Sequence, residues 1–273
     1  MRRAFVLPVT LLLALASGPA LGAIIGRDDR VPISTFETST SPDDQALASA
    51  ARSVGAILCD ATVASAVLVD ERTVVTSAHL LFSQMDAVRE GRTTCVFVVL
   101  ATGMRVPVEL ASRRMGVDRE LPNRRICLIA NDWAVFRLAR PPFGMRPIDL
   151  AARPPAAGTQ AAIVAAVAPR RMPPGIQGPP LPGGEIHVGG PRVGRCQVRE
   201  LLGCQQSGSG IMLTDCDSER GSSGGAVLVR DRGRWVVAGI TRGSSRQSGP
   251  RYNRQRVYHI GVTTNGPLAA AVR

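Results

Sequence analysis

The feature that most constrains this chain is a period of two. Short apolar runs recur from residue 62 to the C-terminal region, each bounded by turn-forming residues. "TVASAVLV" (62–69) and "TVVTSAH" (73–79) flank Asp70-Glu71-Arg72, and "TCVFVVL" (94–100) and "RVPVEL" (105–110) flank "ATGM". Successive side chains of a strand point to opposite faces, so alternation over five to eight residues suits a half-buried strand and not a helix. In "DWAVFRL" (132–138) the pattern sets Ala134, Phe136 and Leu138 on one side and Trp133, Val135 and Arg137 on the other. "QAAIVAAVA" (160–168), "RCQVREL" (195–201), "GIMLTDC" (210–216), "GGAVLVR" (224–230), "RWVVAGITRG" (234–243) and "RVYHIGVTT" (256–264) follow. Helical signals are confined to "DQALASAARSV" (44–54), a turn after His79, and "GPLAAAVR" (266–273). Many short strands with turns between them predict an all-β sandwich or barrel. A Pro/Ala-rich connector at 140–158 divides the strands into two sets of similar size, and a Pro/Gly-rich stretch spans 168–194.

The 273 residues, 45% of them hydrophobic, suffice for a substantial core and exclude disorder as a description of the whole. The formal charge is +12, and all 33 basic residues are arginine. They are scattered, never more than two together, and aromatics make up only 4%. Nucleic-acid binding needs a basic patch or stacking platforms, so the charge reads as a surface property and a steering field. The N-terminus, "MRRAFVLPVTLLLALASGPALGA", has two arginines, a short apolar stretch and then small residues, the order of a signal peptide over 1–23 cleaved after Ala23. The predicted location is secreted or periplasmic, with no membrane span after signal removal. In an exported chain the six cysteines, at 59, 95, 127, 196, 204 and 216, suggest three disulfides. No metal site and no cofactor are expected: there is no CxxC pair and the chain has three histidines.

One stretch carries chemistry. In "CDSERGSSGGAVL" (216–228) Gly221, Gly224 and Gly225 permit a sharp turn that exposes backbone N–H groups, with Ser223 at its tip. A serine nucleophile needs a base to take its proton and an acid to orient that base. His79 ends an apolar strand, and Asp132 opens another, where a carboxylate can be partly buried and still face a cleft.

"TSAH", "NDWAVFRL" and "GSSGGAVL" resemble the three signature blocks of the trypsin-like, chymotrypsin-fold serine peptidases. The resemblance spans about residues 24–265 and implies two six-stranded antiparallel β-barrels with the site between them, here with a short C-terminal helix. The N-terminal barrel would occupy about 46–145 and the C-terminal one about 158–265. It implies that His79 is the general base, that Asp132 orients it, that Ser223 attacks the scissile carbonyl, and that the N–H groups of Gly221 and Ser223 form the oxyanion hole. The expected partner is a protein or peptide substrate, with no nucleic acid, and the chain is expected to act as a monomer.

"IIGRDDRVPI" and "TDCDSERGSSGG" are most similar to the bacterial branch that includes the glutamyl endopeptidases. Three departures stand out. Ser222 replaces the aspartate that pairs with a freed N-terminus in trypsin, so Ile24 is not expected to act as a trypsin-type switch. Leu80 follows His79 where trypsin has cysteine, so Cys59 must pair elsewhere or stay free. Thr241 stands where glutamyl endopeptidases carry a histidine that binds an acidic side chain. Six positions before Ser223, Asp217, followed by Ser218, would line the base of the pocket for the substrate's first side chain. That implies cleavage after arginine or lysine. Arg242 on the pocket wall would instead neutralise Asp217 or recruit acidic substrates, the competing preference. "GIMLTDC" returning antiparallel to "RCQVREL" would bring Cys196 to Cys216 and brace the catalytic loop, with Cys204 the rival partner. Cys95–Cys127 is expected within the first barrel.

Two readings compete with a trypsin-like hydrolase. Gly221-x-Ser223-x-Gly225 also fits the nucleophile elbow of α/β-hydrolases, which needs an acid and then a histidine downstream. The chain offers only Asp231, eight positions on, and His259, in segments that read as strand. A catalytically inactive barrel serving as an adhesin or binding module is the other, separable by a fluorophosphonate that labels only an activated serine.

Overall fold

The computed structural model describes residues 22–59, 62–81, 94–116, 125–167, 189–204, 207–245 and 247–273. Most of the signal segment, up to residue 21, and positions 168–188 of the Pro/Gly-rich stretch lie outside them.

Six strands form the first barrel: β2 (Val54–Cys59), β3 (Thr62–Asp70), β4 (Thr73–Thr76), β5 (Cys95–Val98), β6 (Arg105–Met115) and β7 (Ala134–Leu138), a short two-residue β1 (Val31–Pro32) preceding them. The ring runs β2-β3-β4-β7-β6-β5 and closes where β5 pairs with β2. The alternation read from "DWAVFRL" is literal. Ala134, Phe136 and Leu138 are fully buried in the barrel's own cluster with Ile57, Leu68 and Phe97, while Trp133 and Val135 pack outward against the second half of the chain.

The second barrel uses β8 (Gln160–Val167), β9 (Gly189–Gly203), β10 (Gly210–Thr214), β11 (Ala226–Asp231), β12 (Arg234–Ser244) and β13 (His259–Thr263). Its order is β8-β9-β10-β13-β12-β11, closing through β11 with β8, and β1 adds a seventh strand on the edge of β9. All the pairings within both barrels are antiparallel. The two barrels share a cluster in which Val67, Val75 and Val135 meet Val164, Leu228, Val237, Ile240 and Val262. An interface made of β-branched and leucine side chains from both halves fixes their mutual orientation, because interiors pack densely and resist sliding.

Among the described residues four α-helices decorate the barrels: α1 (Ile33–Glu37), α2 (Pro42–Ala51), α3 (Arg125–Ala130) and α4 (Pro267–Val272). The Ser41 hydroxyl caps α2 by accepting the Asp44 N–H at 3.4 Å, Pro42 opens the first turn, and Asp43 and Asp44 favour the helix's positive end. Leu47 and Ala51 carry its apolar face into the shared cluster. Among the described residues no helix is long and apolar enough to cross a membrane.

All six cysteines are bridged. Cys196 joins Cys216 across the β9–β10 pair. The expected Cys95–Cys127 bridge is wrong. Cys95 lies directly opposite Cys59 in the β2–β5 register, with Cα atoms 4.2 Å apart, so those two pair. Cys127 belongs to α3, outside the barrel, and is bonded to Cys204 at the end of β9. The bridge Cys127–Cys204 spans 77 residues and staples the segment that carries Asp132 to the other barrel.

Candidate active site

His79, Asp132 and Ser223 reach the seam between the barrels on three different supports. His79 lies in a single 3₁₀ turn (Ala78–Leu81) at the end of β4. Its approach is fixed by Ser77, whose buried hydroxyl donates to the Thr241 carbonyl of β12 at 2.8 Å, and by Thr76, whose hydroxyl donates to the Ser65 carbonyl at 2.6 Å. Asp132 follows α3. Its neighbour Asn131 donates from Nδ2 to the Cys127 carbonyl at 2.9 Å and accepts the Ser209 hydroxyl at 3.0 Å, so the turn is pinned to β10. Trp133, buried in the inter-barrel cluster, anchors the other side of the carboxylate.

The Asp132 side chain is 6% exposed and grips His79 twice. Oδ1 accepts the His79 backbone N–H at 2.9 Å, and Oδ2 lies 2.8 Å from Nδ1. Burial pushes the Asp132 carboxyl up, but the charge and hydrogen bonds of His79, together with the Arg242 guanidinium, outweigh it and hold the group below its ordinary value. An ionised carboxylate only accepts, so Nδ1 must donate, and Nε2 is the nitrogen left for proton transfer.

Ser223 sits in the glycine loop between β10 and β11. Gly221 and Gly224 have φ of 93° and 83°, a region costly for side-chain-bearing residues. A Cβ on Gly224 would lie 2.0 Å from the Ser65 carbonyl oxygen, so the loop is pressed against β3 and only glycine fits there. Ser65 organises it. Its hydroxyl donates to the Gly221 carbonyl at 2.8 Å and accepts the Ala166 N–H at 2.9 Å, while its own N–H donates to the Ser223 carbonyl at 2.7 Å. With the Gly221 and Ser223 carbonyls engaged, among the described residues no acceptor takes the N–H of either Gly221 or Ser223. The Ser223 hydroxyl donates to the Arg242 carbonyl at 3.3 Å, and the Arg242 Nε lies 2.9 Å from Asp132 Oδ2. Arg242 thus touches both, with its carbonyl on Ser223 and its guanidinium on Asp132.

Residues 64–240, more than half of the chain, match the trypsin-like peptidase domain family. The chain belongs to that family. Several solved trypsin-fold proteases superpose on this trypsin-like peptidase domain. A Glu endopeptidase in complex with MPD has 12% identity, a TM-score of 0.58, and coverage of 92% of this chain and 97% of its own. The Rv3671c protease of M. tuberculosis, in an inactive form, has 16% identity, a TM-score of 0.52, and coverage of 86% and 95%. Neuropsin, a serine protease expressed in the limbic system of mouse brain, has 15% identity, a TM-score of 0.51, and coverage of 79% and 90%. At these identities the likeness carries the fold. No curated protein matches the sequence.

The residues expected to line a substrate pocket are engaged within the chain itself. Asp217 is buried, and its carboxylate receives the chain's own N-terminal segment, accepting the N–H of Ile25 at 2.6 Å and that of Asp29 at 3.4 Å. Ser218 donates its N–H to the Ala23 carbonyl, and Ala23, fully buried, donates to the Ser244 hydroxyl at 3.0 Å. Ile24 and Gly26 continue as a ladder against Gly249. Arg30 clamps the far end, bound by Asp28 and paired with Glu219 at 2.9 Å. A carboxylate held this way is not free to meet a substrate cation, because loop and N-terminal segment would first have to part. Thr241 is buried with its carbonyl bonded to Ser77 and Gly224, and His259 is buried in β13 with Nδ1 3.1 Å from the Thr214 hydroxyl. Nothing in the sequence signals the N-terminal docking, which joins positions nearly 200 apart. Ser65 had a weak signal, being a polar residue inside the apolar run "TVASAVLV".

Asp217 gives the domain a pH-dependent term. Burial pushes its carboxyl up to about 6. The Ile25 and Asp29 N–H groups oppose the shift, and the Asp29 and Asp28 charges add to it. Because the folded value exceeds the ordinary 3.8, the contribution is complete below about pH 4 and is lost as pH rises through about 6. Asp217→Asn should therefore be more stable than the parent at about pH 8, by roughly 1–3 kcal/mol, and should lose that advantage at about pH 4. Denaturant midpoints at the two pH values, with a constant m-value, check this.

Proposed function

We propose that this chain is a serine endopeptidase that hydrolyses peptide bonds through an acyl-enzyme, with His79 as base, Asp132 as its orienting acid and Ser223 as nucleophile. The observation that carries the reading is the doubly held His79–Asp132 pair, with Nδ1 at 2.8 Å from Oδ2 and the backbone N–H at 2.9 Å from Oδ1, linked through Arg242 to Ser223 in its glycine loop. Asp132 fixes the tautomer that leaves Nε2 able to take the Ser223 proton. Attack by Oγ on the carbonyl forms a tetrahedral oxyanion, which the Gly221 and Ser223 N–H groups would receive. His79 then returns the proton to the leaving amine, and water releases the acyl group by the same steps. Three disulfides and a signal-like N-terminus support a secreted or periplasmic site of action.

For the substrate's first side chain, Asp217 would select arginine or lysine only in a state where the N-terminal segment has left it. A labelled fluorophosphonate tests the core reading. Wild type should be labelled and Ser223→Ala should not, and wild type should cleave at least one of two chromogenic peptides, ending in arginine and in glutamate. Folded wild-type protein that neither labels nor cleaves would turn the assignment toward an inactive binding barrel.

A further inference from the structure

Two N–H donors and a guanidinium converge on the two oxygens of Asp132. Both N–H groups come from His79, and the guanidinium is that of Arg242, from β12, with Nε 2.9 Å from the same Oδ2 that faces Nδ1. The Arg242 N–H is not aligned on that oxygen, so the contact is an ion pair and not a hydrogen bond. Arg242 is also the residue whose carbonyl accepts the Ser223 hydroxyl. Its side chain remains 41% exposed.

Burial works against the Asp132 charge, and the groups that outweigh it are His79 and Arg242. A guanidinium on the same oxygen that faces Nδ1 thus helps to hold the carboxylate ionised and fixes where that oxygen sits.

We propose that Arg242 is a positioning residue that holds Asp132 in register against His79, its guanidinium paired with Oδ2 while its carbonyl holds the Ser223 hydroxyl. This rests on the serine-peptidase reading above. It assigns Arg242 to the carboxylate in place of the pocket wall expected from the sequence.

The test is kcat and KM for wild type, R242K, R242Q and R242M, with competent sites counted by fluorophosphonate titration. R242Q should lower kcat per competent site about tenfold with KM little changed, because Asp132 orients His79 and a misplaced catalytic group costs rate. R242M, of similar length and without charge, should do the same and stands in should the glutamine variant fail to fold. R242K, which keeps the charge, should recover most of the wild-type kcat. A loss of packing alone would lower the melting temperature or the number of competent sites and leave kcat per site unchanged. A wild-type kcat in folded R242Q and R242M, beside a wild type that labels and cleaves, overturns this inference alone. A wild type that does neither overturns the peptidase reading and this inference with it.

Discussion

Ser223→Ala, and separately His79→Ala, should lower turnover by about 10⁶-fold, near 8 kcal/mol of barrier, while leaving the fold intact. The two losses should be similar, and the double variant should be little worse than either single one, because a hydroxyl without its base and a base without its hydroxyl are equally idle. The structure says why the fold should tolerate both. The Ser223 hydroxyl makes one long bond, to the Arg242 carbonyl, and the loop is held by other groups: Ser65 on the Gly221 and Ser223 main chain, and Gly224 against β3. The His79 side chain is 40% exposed, and its backbone N–H to Asp132 survives substitution. Active-site-titrated rates, with melting curves alongside, decide the matter. Near-normal turnover in either folded variant would remove both residues from the chemistry.

How much of this was legible in the sequence follows from the range of the interactions. Strands are a local matter: the alternation of Ala134, Phe136 and Leu138 with Val135 and Arg137 is a property of consecutive residues, and the burial follows it. The three candidate residues could be picked out because His79, Asp132 and Ser223 each sit in a short, unusual context. What failed was long-range. Cys59 and Cys95 pair because β2 and β5 close a barrel, and no spacing rule reveals which strands will be neighbours. Asp217 reads as a pocket base from its distance to Ser223, yet its partners are Ile25 and Asp29, brought from the other end of the chain by the ladder along Gly249. Arg242, expected on the pocket wall beside Asp217, pairs instead with Asp132, since which way a long side chain turns depends on the charge it finds.

Asp132→Asn should cost about 10⁴-fold in turnover at neutral pH, less than losing Ser223 and for a different reason. The carboxylate presents two acceptor oxygens to the two His79 N–H groups and a charge to Arg242, and an amide presents one acceptor and one donor and no charge. If the amide oxygen stays on the His79 backbone N–H, its NH₂ faces Nδ1. Nδ1 must then accept, the ring proton moves to Nε2, and His79 can no longer take a proton from Ser223. If the amide turns over, the backbone N–H loses its acceptor and the ring its second anchor. Either way the Arg242 guanidinium is left beside an amide that cannot neutralise it. The variant therefore also tests the route by which Arg242 acts. R242Q, which lowers kcat in the parent, should lower it no further in the Asp132→Asn background, because the carboxylate that Arg242 holds is gone. A double-mutant cycle on kcat/KM measures that coupling, and additive effects would show that Arg242 acts by some route other than Asp132.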